Sequence, residues 1–255
     1  MEEKKLAEVI ETYLGCPCRY FRSLKTDRTI MAAYKEAKKR SKTEGFVPIL
    51  VVVDDVLLES FILNSSGDME EEYDFDMAKV ADYRKKMLET TLVSGNDLKD
   101  KLYIGKVTKE EEENIYAEML NKIKIVDSIR QFSGYWDYSG EKTYPLLLAE
   151  VPVKNPWEVF AWVPFGNWNS CPDTPELMAI SKYWYEKYGA FPAVITKDVL
   201  EYDLEKPVKK EQAIQLVMEH NGFCSDNISS GPEYISIGEM AAMLTKATKW
   251  FFWWD

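Results

Sequence analysis

A thiol, an imidazole and a carboxylate stand close together at Cys224, His220 and Asp226, with Glu219 directly before the imidazole. His220 is the only histidine, so any Ser-His-Asp or Cys-His chemistry has to use it. In such a site Cys224 or Cys171 is the nucleophile, His220 the base and Asp226 the group that orients it. Catalytic groups of this kind usually converge from separate elements, which makes clustering in one stretch weak support. The same residues read as a helix C-terminus: His220 at the negative end of the dipole, Gly222 as the cap and Cys224 under the turn. That structural reading outweighs the catalytic one. A structural zinc needs four ligands, and the Cys16-x-Cys18 spacing is shorter than the usual two-residue gap, so no metal site is expected. Neither form of Gly-rich phosphate loop occurs, and no cofactor is expected.

A second candidate is the loop Phe165-Gly166-Asn167-Trp168-Asn169-Ser170-Cys171-Pro172-Asp173. It places an indole and two amides just before a helix start, a composition suited to a ligand cup. Trp168 and Asn169 are its candidate binding residues. The competing reading is a structural loop, with Trp168 filling the core and Asn169 satisfying the turn. The segment Trp250-Phe251-Phe252-Trp253-Trp254-Asp255 is too apolar to be left in water, so it is expected to close the fold as a buried strand. Asp255 is the polar group it can contribute to a site.

These groups need elements to hold them. Apolar spacing predicts a helix over 4–14, ended by Gly15, and Cys16-Pro17-Cys18 reads as a loop. Asp27 can cap a helix carrying Ile30, Ala33, Tyr34 and Ala37, which Gly45 ends. The run 47–53 is the clearest buried strand; Asp54-Asp55 turns, and 57–63 reads as a second strand. A loop over 64–76, a helix over 77–91, a break at 94–97 and a long helix from Lys109 toward Phe132 follow. Gly134 to Gly140 is an aromatic loop, and 144–153 a strand whose prolines suggest an edge or a strand end. Asn155-Pro156-Trp157-Glu158 and Thr174-Pro175-Glu176 both have the grammar of helix starts. A hairpin over 191–204, a helix through His220 ended by Gly222, and a helix opened by Ser236 and Glu239 precede the aromatic strand.

Gly45-Phe46-Val47-Pro48 and Gly189-Ala190-Phe191-Pro192 each follow a helix and open a strand. They suggest two similar helix–hairpin halves, although Gly-x-x-Pro is also generic helix-to-strand grammar. The expected fold class is α+β, with mixed or antiparallel sheets covered by helices. Residues 1–140 form an N-terminal α/β region with a helical insertion near 77–133, and residues 141–255 a C-terminal module; one continuous domain fits equally.

The chain has 255 residues, a net charge of −11 and a pI near 4.9. Phosphate backbones are repelled by such a balance, so nucleic acid is not an expected partner. Lys35, Lys38, Lys39, Arg40 and Lys42 are the only dense basic cluster, and read as a solvated helix face. The sequence has neither a membrane-length apolar run nor the pattern of a secretory signal, which makes the cytoplasm the default location. Four cysteines in that setting are expected to be reduced.

Gly166-Asn167-Trp168-Asn169-Ser170-Cys171-Pro172 resembles the GGWNxCP loop of the DUF4253 family. Tyr183-Trp184-Tyr185-Glu186-Lys187-Tyr188-Gly189-Ala190 is similar to its YWYERYGA helix end, and Glu219-His220 with Phe223-Cys224-Ser225-Asp226-Asn227 to its EHxxFCPDN segment. Trp250 to Asp255 matches its aromatic ending, so the resemblance covers about residues 145–255. It implies a bacterial α/β module and carries no activity. It singles out Trp168, Asn169, Cys171, Cys224, Asp226 and Asp255 as matched positions. Ser225 replaces a proline, which predicts a looser turn, and Asn167 replaces a glycine, which predicts that this position does not need a backbone geometry only glycine allows. The function expected is that of a non-enzymatic binding protein whose acidic surface meets a protein partner, with an immunity-like role as one form of it. The alternative is a hydrolase or transferase using Cys224 or Cys171 with His220.

Overall fold

The computed structural model describes residues 3–67, 73–94, 97–98, 108–226 and 235–255. Residues 68–72 of the expected loop, 95–96 of the expected break and Asn227 of the matched segment lie outside them. Helices α1 (Glu3–Leu14) and α2 (Arg28–Glu44) follow the apolar spacing of their sequences. Between them lies a strand that the sequence did not suggest, β1 (Cys18–Phe21). Gly45 ends α2 with φ +74°, the left-handed cap that glycine adopts without steric cost.

The chain then enters β2 (Val47–Val52), every residue of which is buried. Its two faces feed two separate cores: Ile49 and Val51 one, Leu50 and Val52 the other. Burial on both sides is why the run is continuously apolar.

The second strand expected over 57–63 is a helix, α3 (Asp55–Ser65). Asp54 is its N-cap and accepts from the Leu57 amide at 3.0 Å. Leu57, Leu58, Phe61 and Ile62 face the core at helical spacing, and the loop after it starts only at Ser66. The first half therefore has no hairpin, and the helix–hairpin echo stops at its strand.

Helix α4 (Met77–Glu89) falls where expected. Helix α5 (Lys109–Lys122) is shorter than expected, because the chain past Ile123 runs beside the last strand. There the Ile129 carbonyl accepts from the amides of Thr248 (2.8 Å) and Lys249 (3.2 Å). Phe132 instead packs with Tyr34 and Tyr135 in the core under α2.

Strand β3 (Leu146–Val151) pairs antiparallel with both β1 and β2. Pro145 and Pro152 lie just beyond its ends, so they mark termini of an interior strand. After a short 3-10 helix (Pro156–Ala161), helix α6 (Thr174–Tyr188) runs into β4 (Phe191–Ile195) and β5 (Val199–Asp203). Helix α7 (Lys210–Phe223) continues one residue past Gly222, helix α8 (Ile237–Leu244) follows, and β6 (Lys249–Trp253) is the aromatic strand.

The six strands form one mixed sheet in the order β1-β3-β2-β4-β5-β6. Only β2 and β4 run parallel. This is an α+β architecture, with α2 over one face and α1, α3, α6, α7 and α8 contributing to the core on the other. No described helix is long and apolar enough to cross a membrane.

Candidate functional site

The matched loop turns twice through left-handed backbone. Gly166 has φ +88°, and a Cβ built on it would lie 2.1 Å from the Pro172 carbonyl oxygen, so only glycine fits. Asn167 (φ +66°) and Asn169 (φ +45°) are also left-handed. Asn167 is left-handed, a conformation that glycine favours and asparagine also tolerates, so the position does not demand glycine. Trp168 is half-buried and packs edge-on against Phe165, ring centroids 4.8 Å apart. The amide of Cys171 donates to the Trp168 carbonyl at 2.8 Å and closes the turn.

The end of β6 ties this loop to the turn after α7. Asn169 Nδ2 donates to the Asp255 carbonyl at 2.7 Å, and the Asp255 amide donates to Asp226 Oδ2 at 3.3 Å. Cys224 Sγ donates to the Trp253 carbonyl at 2.9 Å. Four predicted site residues, Asn169, Cys224, Asp226 and Asp255, are therefore joined by one stretch of backbone.

Beside this junction is a cleft of about 520 Å³. Its walls are α3, the 166–168 loop, the β4–β5 turn and residues 253–255. Trp168 and Asp255 both line it, with Glu59, Asp198 and Lys197, giving three carboxylates to one lysine. Asn64 of α3 organises the inner wall: its Nδ2 donates to the carbonyls of Pro164 (2.8 Å) and Gly166 (3.1 Å), and its Oδ1 accepts from Asn167 Nδ2 (3.0 Å). The Trp254 indole nitrogen is buried there without a hydrogen-bond partner. Sequence reasoning missed Asn64 and Glu59 because it read their helix as strand and loop.

His220 takes no part in this junction. It is 1% exposed, and its ring packs against Trp250 and Phe252 (centroids 4.7 Å from each) and Trp184 (5.2 Å). Nε2 has no hydrogen-bond partner, and burial alone lowers the pKa to about 3. The imidazole is neutral at physiological pH and a weak base. Cys171 is also buried; burial first, then the neighbouring Cys224, pushes its thiol far above the usual range. Cys171 and the His220 ring are thus both part of the packed interior of the C-terminal half. No group of three or more metal-ligating side chains occurs among the described residues.

The adjacent Glu219 is the unexpected anchor. It is 1% exposed and accepts from Tyr183 Oη (2.7 Å), Trp184 Nε1 (3.1 Å), Lys187 Nζ (3.0 Å) and Tyr188 Oη (3.4 Å). The aromatic end of α6 is thus a donor set wrapped around one buried carboxylate of α7. Burial, reinforced by that carboxylate, pushes the Tyr183 and Tyr188 phenols well above their ordinary pKa. Two of the matched motifs meet here for a structural reason: a buried charge requires this many donors.

No curated protein and no solved structure matches the chain. The C-terminal region that supplies the loop, the anchor and the aromatic strand, residues 147–255, matches the family model DUF4253, a domain of unknown function.

Proposed function

We propose that the protein is a non-catalytic cytoplasmic binding protein that receives a basic group of a protein partner in the cleft beside Trp168. The observation that carries this reading is the lining of that cleft, where, among the described residues, Glu59, Asp198 and Asp255 share the wall with the half-buried Trp168 and one cation, Lys197. A lysine or arginine side chain is the natural occupant. Its charge is met by the carboxylates, and its stem or guanidinium plane by the indole face, an arrangement worth about 0.5–2 kcal/mol per cation–π contact. The net charge of −11 adds long-range attraction for a basic surface, which raises association rates at low salt. An immunity-type role, in which the acidic surface covers the working face of a basic toxin, belongs to the same reading.

The test is affinity capture from the native host with the wild-type chain and with a Glu59→Lys, Asp255→Lys double variant. Both side chains are at least partly exposed, so folding should be retained. The expected result is a basic protein retained at low salt, released as screening shortens the Debye length toward about 3 Å near 1 M, and lost by the variant. The purified partner should then rebind only the wild type. Absence of any partner at low salt, or equal capture by the variant, overturns the proposal.

A further inference from the structure

We propose that Cys16 and Cys18 form a dithiol that carries out thiol–disulfide exchange, with Cys16 as the attacking sulfur, Cys18 as the resolving one, and Arg84 as the cation that stabilises the attacking thiolate. The four cysteines divide by environment. Cys171 and Cys224 are buried, whereas Cys16 and Cys18 are partly exposed. The pair sits where α1 passes through Gly15 into β1, the outermost strand of the sheet, so a disulfide can reach it from solvent. One residue separates the two thiols, and both are partly exposed at the start of that edge strand.

Arg84 is the second, independent observation. Its side chain is only 7% exposed, and it has no carboxylate partner among the described residues. One Nη donates to the Tyr13 carbonyl at 2.7 Å, the guanidinium lies over the rings of Trp162 (4.8 Å) and Tyr13 (5.5 Å), and Nε is buried without a partner. A buried, incompletely satisfied cation is costly unless it serves an anion. Its Nη1 lies 3.8 Å from where a Cβ on Gly15 would sit, which places it at the residue before Cys16, a group that can become an anion. The Cys18 hydrogen bond, then Arg84, hold Cys16 below the usual thiol range, against burial and Glu150; Cys18 is held above it, first by that same bond, then by burial and by the charges of Cys16, Glu11 and Glu150. A thiol shifted down beside one shifted up is the direction of asymmetry that exchange chemistry uses.

The step balances without a further reactant. The Cys16 thiolate attacks one sulfur of an external disulfide, forming a mixed disulfide and expelling a thiolate. Cys18 then gives up its proton and attacks the Cys16 sulfur, releasing the second thiol. The two protein thiols are oxidised by two electrons to a Cys16–Cys18 disulfide, and the external disulfide is reduced to two thiols.

Oxidised glutathione is the probe, with intact-mass and peptide mapping as the readout. The wild-type chain should lose the mass of two hydrogens, mapped to Cys16 and Cys18. Cys18→Ser should instead accumulate one glutathione on Cys16, and Cys16→Ser should accumulate neither product at that rate. In brief alkylation, Cys16 should react at least about tenfold faster than Cys171. Arg84→Lys should keep most of that rate and Arg84→Met should lose it, both checked for an unchanged thermal transition. An unoxidised pair, glutathione spread evenly over all four cysteines, or a Cys16→Ser chain that oxidises as fast as wild type overturns the proposal.

Discussion

Replacing His220 with phenylalanine should change how the protein responds to mild acid. Burial holds the imidazole pKa down at about 3, from an ordinary 6.5. Below pH 6.5 the unfolded chain takes up a proton that the folded chain refuses until about pH 3. The stability contributed by the neutral ring is therefore present above 6.5 and lost as the pH falls toward 3. Fully developed, the loss is about 5 kcal/mol, at up to about 1.4 kcal/mol per pH unit.

Glu201 opposes it. This carboxyl is 1% exposed, and burial outweighs its bonds from the Ser133 and Gly134 amides, raising its pKa from 4.5 to about 7. Its contribution is full below 4.5 and lost as the pH rises through 7. Between 4.5 and 6.5 the folded state holds the Glu201 proton while the unfolded state holds the His220 proton, so the two slopes nearly cancel.

His220→Phe removes one side of that balance and keeps a ring against Trp184, Trp250 and Phe252. The larger ring costs about 1–3 kcal/mol by overpacking at every pH, an offset that drops out of a pH difference. From about pH 6 to about pH 5 the unfolding free energy of the variant should gain about 1 kcal/mol on that of the wild type. Glu201→Gln should shift by a similar amount in the opposite direction. Urea unfolding followed by tryptophan fluorescence at several pH values measures both. A His220→Phe chain with the wild-type pH dependence would falsify the closed aromatic setting, because it would mean that the folded imidazole already titrates normally.

Two further outcomes follow from the same core. Glu219→Ala leaves the Tyr183, Trp184 and Lys187 donors facing a void, and should cost about 3–5 kcal/mol in denaturant unfolding; a loss under about 1 kcal/mol would mean that the donors find water instead. Deleting residues 250–255 removes all but one of the residues that pair with β5, together with the fully buried Trp250, Phe252 and Trp254. At about 3–5 kcal/mol per large aromatic against a net stability of about 5–15 kcal/mol, no cooperative thermal transition should remain. A truncated chain that still melts sharply at the wild-type temperature contradicts this.

The elements that the sequence made legible were those with local punctuation. The left-handed Gly45 and Gly189, the Thr174-Pro175-Glu176 helix start and the prolines around β3 are signals that act within a few residues, and the elements they bound stand close to where they were read. The errors came where punctuation competed with composition. Leu57-Leu58-Glu59-Ser60-Phe61-Ile62-Leu63 is short, apolar and compatible with either period, yet Asp54 had already capped a helix. Strand β1 is four residues long with only Phe21 fully buried, too little for a pattern to show. The role of Glu219 was hidden for another reason: its donors lie more than thirty residues upstream on α6, and only packing brings them together.

The topology also explains why the recognisable motifs do not by themselves outline the candidate site. The matched region starts at Leu147, inside β3, but β3 does not pair with β4. Strand β2, from outside that region, lies between them and pairs with both. Helix α3 follows β2 directly through the Asp54 cap, so the same insertion that completes the sheet delivers Glu59 and Asn64 to the cleft. One wall of the cleft is therefore built from motif residues joined at Asp255, and another from a helix that the motif does not include. The charge of that second wall, carried by Glu59, comes from the N-terminal region of this chain.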